Sequence, residues 1–166
     1  MNLSPHKEAH MIKDDVLIAL PLHLAVDYDD ALGIDTDQPA ADMGTFIVPF
    51  RCEVFLAGAV VTEVCCGADT TPEVDFDLRP TAGSDTDRGD ADIAHLVLST
   101  TAAGKVMYDR AALGTVLEPG SEVVVELAVA ATDAGTSLQT GHVKPFLLVK
   151  CLPEVLANLD DLVETA

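Results

Sequence analysis

Leu117-Glu118-Pro119-Gly120-Ser121, running on into Glu122-Val123-Val124-Val125-Glu126-Leu127-Ala128-Val129-Ala130, decides the fold class. Pro followed by Gly at the centre of a reversal is the signature of a tight turn, because proline presets φ and glycine accepts positive φ. In the run that follows, Val123, Val125, Leu127 and Val129 recur at every second position, the period of a strand with one buried face. His142–Cys151 repeats the pattern, with Val143, Leu147, Val149 and Cys151 on one side and His142, Lys144 and Lys150 on the other. The two runs read as a hairpin closed by the long loop 131–141.

The same period extends toward the N-terminus. In Val16–Val26 every even position is apolar, and Thr45–Leu56 places Phe46, Val48, Phe50, Cys52, Val54 and Leu56 on one face. Gly58 is expected to mark a break or bulge, with Ala59–Cys66 a further strand. Val74, Phe76 and Leu78 alternate with Asp75 and Asp77. Ile93–Ser99 and Lys105–Tyr108 complete the set. No amphipathic helix separates these segments, so a parallel α/β sheet is disfavoured. The expected fold is mainly β: a single antiparallel β-sandwich, jelly-roll-like, with about eight strands and a C-terminal helix.

Three regions follow from this pattern: an N-terminal arm at 1–13, the sandwich at 14–152 and an amphipathic helix at 153–166. Pro153-Glu154 suits a first helical turn. Val155, Leu156, Leu159, Leu162 and Val163 then form an apolar stripe. Asp160, Asp161 and Glu164 oppose the macrodipole at its end, so the helix needs a surface to dock on. Two surfaces qualify, the chain's own sandwich or a neighbouring subunit, and the stripe is the expected partner-binding element in the second case.

Charge narrows the partners. The 166 residues carry 28 acidic and 9 basic side chains, net −19. Such a surface repels a phosphate backbone and an anionic membrane, so neither nucleic acid nor membrane is expected as a partner. At 49% apolar, the chain has enough hydrophobic material for a core and is not expected to be disordered. Asp outnumbers Glu 19 to 9, with only 5 Lys, a skew typical of proteins that work in concentrated salt. The N-terminal stretch lacks the apolar segment of a secretory signal.

Motifs for chemistry are sparse. No G-x-S-x-G, Walker or dinucleotide motif occurs. His6, His10, His23, His95 and His142 are scattered. No catalytic residue and no cofactor is therefore expected. No metal site is expected either: the nearest candidate is a Ca²⁺ loop at Asp85, Asp87, Asp90 and Asp92, but its Gly and its twelfth residue depart from the EF-hand pattern, and the loop reads as a solvated acidic surface. Cys52, Cys65, Cys66 and Cys151 show no C-x-x-C spacing and read as small buried hydrophobes. A Cys52–Cys151 bridge requires their strands to be neighbours.

Thr45-Phe46-Ile47-Val48-Pro49-Phe50-Arg51-Cys52-Glu53-Val54 resembles the strand that opens small β-sandwich virion proteins of tailed phages and related archaeal viruses. The likeness continues through Val60–Val64, the turn at Leu117–Val123 and the strand Gly141–Val149, covering roughly 14–151. It implies a capsid decoration (cement) protein that binds the outer lattice and stabilises the head. The implied partners are the major capsid protein and further copies of the chain, as a trimer or another cyclic oligomer. The implied location is the capsid surface, after synthesis in the host cytoplasm. Two alternatives stay open: a head-fibre or tail-associated virion component, and a ligand-binding sandwich dependent on carbohydrate or Ca²⁺.

Overall fold

Two prolines mark two of the points at which the chain passes from one sheet to the other. The computed structural model describes residues 17–24, 34–35, 41–66, 71–79, 92–98, 102–129 and 140–152. The strands are β1 (Leu17–Leu20), β2 (Leu22–Leu24), β3 (Ile34–Asp35), β4 (Ala41–Ile47), β5 (Cys52–Cys66) and β6 (Glu73–Arg79). Then come β7 (Asp92–Val97), β8 (Val106–Asp109), β9 (Val116–Leu117), β10 (Glu122–Val129) and β11 (Thr140–Cys151). Sheet I is six-stranded, in the order β1-β11-β5-β8, with β3 also paired to β11 and β9 to β5. Sheet II is five-stranded, in the order β2-β4-β10-β6-β7. Every pairing is antiparallel.

Pro21 falls between β1 in sheet I and β2 in sheet II, and Pro49 between β4 in sheet II and β5 in sheet I. A proline donates no ladder hydrogen bond, so the chain leaves one sheet there and enters the other. The inward parity survives each crossing: Leu20, Phe46, Val48, Cys52 and Val54 are all buried. The runs expected as single strands, Val16–Val26 and Thr45–Leu56, are therefore each two strands of one buried face, and the described strands number eleven rather than about eight.

The two inner faces share one core, with Cys52, Val54, Ala57, Val61, Leu147 and Val149 from sheet I meeting Phe46, Val74, Phe76, Val123, Val125 and Leu127 from sheet II. Phe46 and Phe76 stack with centroids 6.3 Å apart. Two expectations need correction here. β10 and β11 are not a hairpin: they lie in opposite sheets, each pairing with other strands. Their alternation gave each a buried face but not a common sheet. Gly58 does not break the chain either, because β5 runs unbroken from Cys52 to Cys66. The irregularity nearest to it sits at Phe55–Leu56, where the register against Leu148 and Val149 shifts, and two further shifts fall between Thr140 and Val143 at the other end of the ladder. The bulge at Phe55–Leu56 reverses parity, so Cys52 and Val54 point inward before it and Ala57, Ala59 and Val61 after it.

The turn at 118–121 is as the sequence predicts. Ser121 N donates to Glu118 O at 3.2 Å, and Gly120 has φ 82°. It also holds the sheet crossing: Val48 N donates to Ser121 O and Gly120 N to Val48 O. Pro145 stands inside β11, opposite Ala59. On the other side of β11, β3 pairs with 142–143 and β1 with 147–150. Pro145 falls in the gap between them, where its missing N–H costs no pairing among the described strands.

Candidate functional site

Two outer faces of opposite chemistry flank the core. On sheet II, alternation turns Asp42, Glu122, Glu126, Asp75, Asp77 and Asp92 away from it. The registers line them up: Glu126 is opposite both Asp42 and Asp75, and Asp77 is opposite Asp92. Like charges directly across a ladder repel. Arg79 is the arginine that sheet II carries among the described residues, which hold no lysine there. It reaches across β10 to Asp42 at 2.7 Å, and Val124, on the same face between Glu122 and Glu126, is buried.

Sheet I presents the reverse. Its outer rows run Leu17–Lys150–Glu53–Val116, then Ala19–Leu148–Leu56, then Phe146–Gly58–Tyr108, then Lys144–Val60–Val106. Leu17, Phe55, Val106, Tyr108, Leu113 and Val116 are each 42–55% exposed. Lys144 and Lys150 stand on this face with Glu53 beside Lys150, Lys105 and Arg110 flank β8, and Arg51, which precedes β5, is paired with Glu118 at 3.0 Å. Large exposed apolar residues on sheet II are fewer, Ile47 and Val97 among them. The bulge at Phe55–Leu56 enlarges the apolar patch, because both of its residues point outward. Gly58 lies flush beneath Phe146 and Tyr108: a Cβ there would meet Met107 O at 2.3 Å and Phe146 Cζ at 2.7 Å.

The titratable groups gather where the two sheets meet at the β7–β8 edge. His95 N donates to Asp109 Oδ2 at 3.1 Å, and Ala111 N to Asp109 Oδ1 at 2.8 Å. Asp109 thus clasps sheet II to sheet I, and the Ala111 amide first among these donors holds its carboxyl below the usual aspartate range. The His95 ring lies 2.5 Å from Asp75 through Nδ1 and 3.9 Å from Glu73 through Nε2. The Asp75 hydrogen bond is the main reason its pKa is raised above the ordinary histidine value. Asp77, nearly buried, is pushed up to about 7, by desolvation first and by its hydrogen bond to Asp92 next. Its Oδ1 is buried without a hydrogen-bond partner. This edge holds protons near neutral pH, while the imidazole itself stands in the open at 44% exposure.

Of the candidate Ca²⁺ loop, Asp92 is described, and it partners Asp77 across the β6–β7 ladder. Asp85, Asp87 and Asp90 lie outside the described residues, as do Val155, Leu156, Leu159, Leu162 and Val163 of the expected helix and the whole arm 1–13. Among the described residues, no group of three or more His, Cys, Asp or Glu is placed to hold a metal ion. None has a helix long and apolar enough to cross a membrane. The apolar outer face of sheet I is not among the features expected from the sequence. Its signal lies in β11, where Phe146 and Leu148 occupy the same parity as Lys144 and Lys150, so the outer face of that strand is apolar at its middle and basic at its ends. Comparisons with protein-family models, curated proteins and solved structures return no match for this chain.

Proposed function

We propose that this chain is a non-catalytic structural protein of a virion, a capsid decoration protein that seats the outer face of sheet I on the capsid lattice and turns sheet II to solvent. The observation that carries the reading is the division of chemistry between the two faces. One is mostly apolar, with lysines and Glu53 at its margins, the other covered in carboxylates. A contiguous exposed apolar surface rimmed by polar groups is what protein–protein contact sites present. Lys105 and Lys144 at the margin favour a partner patch that is apolar at its centre and acidic at its edge, and sheet II of a second copy has few large exposed apolar residues to supply that centre.

The strand order supports the same reading. β1-β11-β5-β8 facing β4-β10-β6-β7 is the pairing scheme of an eight-stranded jelly-roll sandwich, with β2, β3 and β9 as additions. Viral capsid proteins and lectins use that fold, and the assignment to a virion rests on the outer faces and on the resemblance of 45–54, not on the fold alone. Many modest contacts repeated over a shell sum to tight attachment through multivalency.

The test is direct. Purified protein mixed with capsids assembled without it binds saturably, in a fixed number per shell, and raises the temperature at which the shells release their contents. Absence of saturable binding refutes the proposal.

A further inference from the structure

Cys52 opens β5 and Cys151 closes β11, the two longest of the described strands, and the two residues stand directly opposite each other in the ladder. Both are buried and both are free thiols. Being opposite in register, they project from the same face of sheet I, toward the core.

The hydrogen bonds around Val54 define the kind of pair they form. Val54 N donates to Thr115 O at 2.8 Å, and Val54 O accepts from Gly114 N at 3.0 Å. Its main-chain groups therefore point away from β11. In an antiparallel ladder this direction alternates residue by residue. The register is unbroken from Val54–Val149 through Glu53–Lys150 to Cys52–Cys151. Cys52 consequently also turns its main chain away from β11, toward Leu117 of β9, its register partner there. Cys52–Cys151 is thus a non-hydrogen-bonded pair, the arrangement in which Cα atoms lie about 4.5 Å apart and side chains approach closest. A disulfide spans Cα separations of about 4.4–6.8 Å. Cys65 lies at the far end of β5 and does not compete for this position.

We propose that Cys52 and Cys151 form a cross-strand disulfide modification site that staples the start of β5 to the end of β11. The oxidant is a small or protein disulfide, R–S–S–R. The Cys52 thiolate attacks one of its sulfurs and releases the first R–SH. Cys151 then attacks the Cys52 sulfur of the mixed disulfide and releases the second. Two thiol protons and two electrons pass to the reagent, one S–S bond breaks and one forms. Burial slows this chemistry in the native state: it pushes the Cys52 thiol up to about 11 and raises Cys151 as well, and only the thiolate attacks. Closure therefore belongs to folding, or to moments when the end of β11 opens. The bond would fix a strand end at the margin of the apolar face, next to Leu17, Lys150 and Val116.

The experiment refolds reduced, urea-unfolded protein in mixed oxidised and reduced glutathione, blocks remaining thiols and maps the linked peptides by mass spectrometry. The expected product is monomeric, two hydrogens lighter, linked Cys52 to Cys151. Its Tm lies roughly 5–10 °C above that of the reduced protein, a gain that dithiothreitol reverses. Cys151→Ala abolishes both the link and the Tm gain. C65A/C66A, which leaves one pair, keeps both. If that variant does not fold, the wild-type peptide map decides alone. Links made mainly through Cys65 or Cys66, or glutathione adducts on Cys52 and Cys151 with no bond between them, overturn the assignment.

Discussion

Asp77 on β6 lies directly opposite Asp92 on β7, and the two carboxyl groups share a hydrogen bond. Two carboxylates in that position cannot both ionise cheaply. Burial of Asp77 is the larger cost and the hydrogen bond with Asp92 adds to it, so Asp77 keeps a proton until about pH 7. The fold thus tolerates an acidic face by keeping its most crowded member neutral.

The first prediction concerns pH. The folded-state pKa of Asp77 is raised from 3.8 to about 7, so the native state binds more protons than the unfolded chain between those values. Stability from this group is fully present below about pH 4 and is lost as pH rises through 7. The raised pKa of His95 acts in the same direction, its contribution being present below 6.5 and lost above its folded value. Thermal melts should give a higher Tm at pH 5 than at pH 8. Asp77→Asn should flatten that slope and stabilise the protein at pH 8 by roughly 1–3 kcal/mol. A D77N variant less stable than wild type at pH 8 would contradict the account of a protonated Asp77.

Salt gives a second prediction. Glu126 faces Asp42 on one side and Asp75 on the other, and the chain carries net −19. At about 1 M salt the Debye length falls to about 3 Å, so repulsion across sheet II is screened. Tm should climb by at least roughly 5 °C between 0.1 M and 2 M KCl, and Glu126→Gln should reduce that dependence. A Tm that is flat or falling with KCl contradicts both this picture and the high-salt reading of the composition.

Gly58 supplies the third. Any Cβ there meets the Met107 carbonyl at 2.3 Å, a backbone atom held by the β5–β8 ladder. Gly58→Ala should cost roughly 1–3 kcal/mol in urea unfolding, as overpacking does, and should loosen β8 first. Hydrogen exchange at Val106–Asp109 reads that loosening. An unchanged midpoint would mean that β8 does not sit where the registers place it.

How far the sequence spoke depends on what each signal encodes. Period-two alternation reports which face of a residue run is buried, and that reading holds for Ile18–Leu24 and for Phe46–Val54. It does not report which sheet a strand joins, so the prolines at 21 and 49 were needed to see two crossings. The β10–β11 hairpin failed for the same reason. Parity also fails beyond Phe55, because a bulge is set by register against the partner strand, here at Leu148 and Val149. The acidic face was readable from Asp75 and Asp77, whereas the neutral state of Asp77 depends on Asp92 arriving from another strand. The apolar face of sheet I was the most consequential omission: Phe146 and Leu148 show it in β11, but Phe55, Tyr108 and Val116 join it only through pairing.

The central claim is that sheet I is the attachment face, and paired surface variants measure it most directly. Saturable binding to capsids assembled without the protein is compared for F55D/Y108D and for E122Q/E126Q, with circular dichroism verifying that each stays folded. The account predicts that F55D/Y108D weakens binding at least about tenfold, some 1.4 kcal/mol, while E122Q/E126Q binds as wild type. Equal binding by wild type and F55D/Y108D, or loss confined to the sheet II variant, would contradict it.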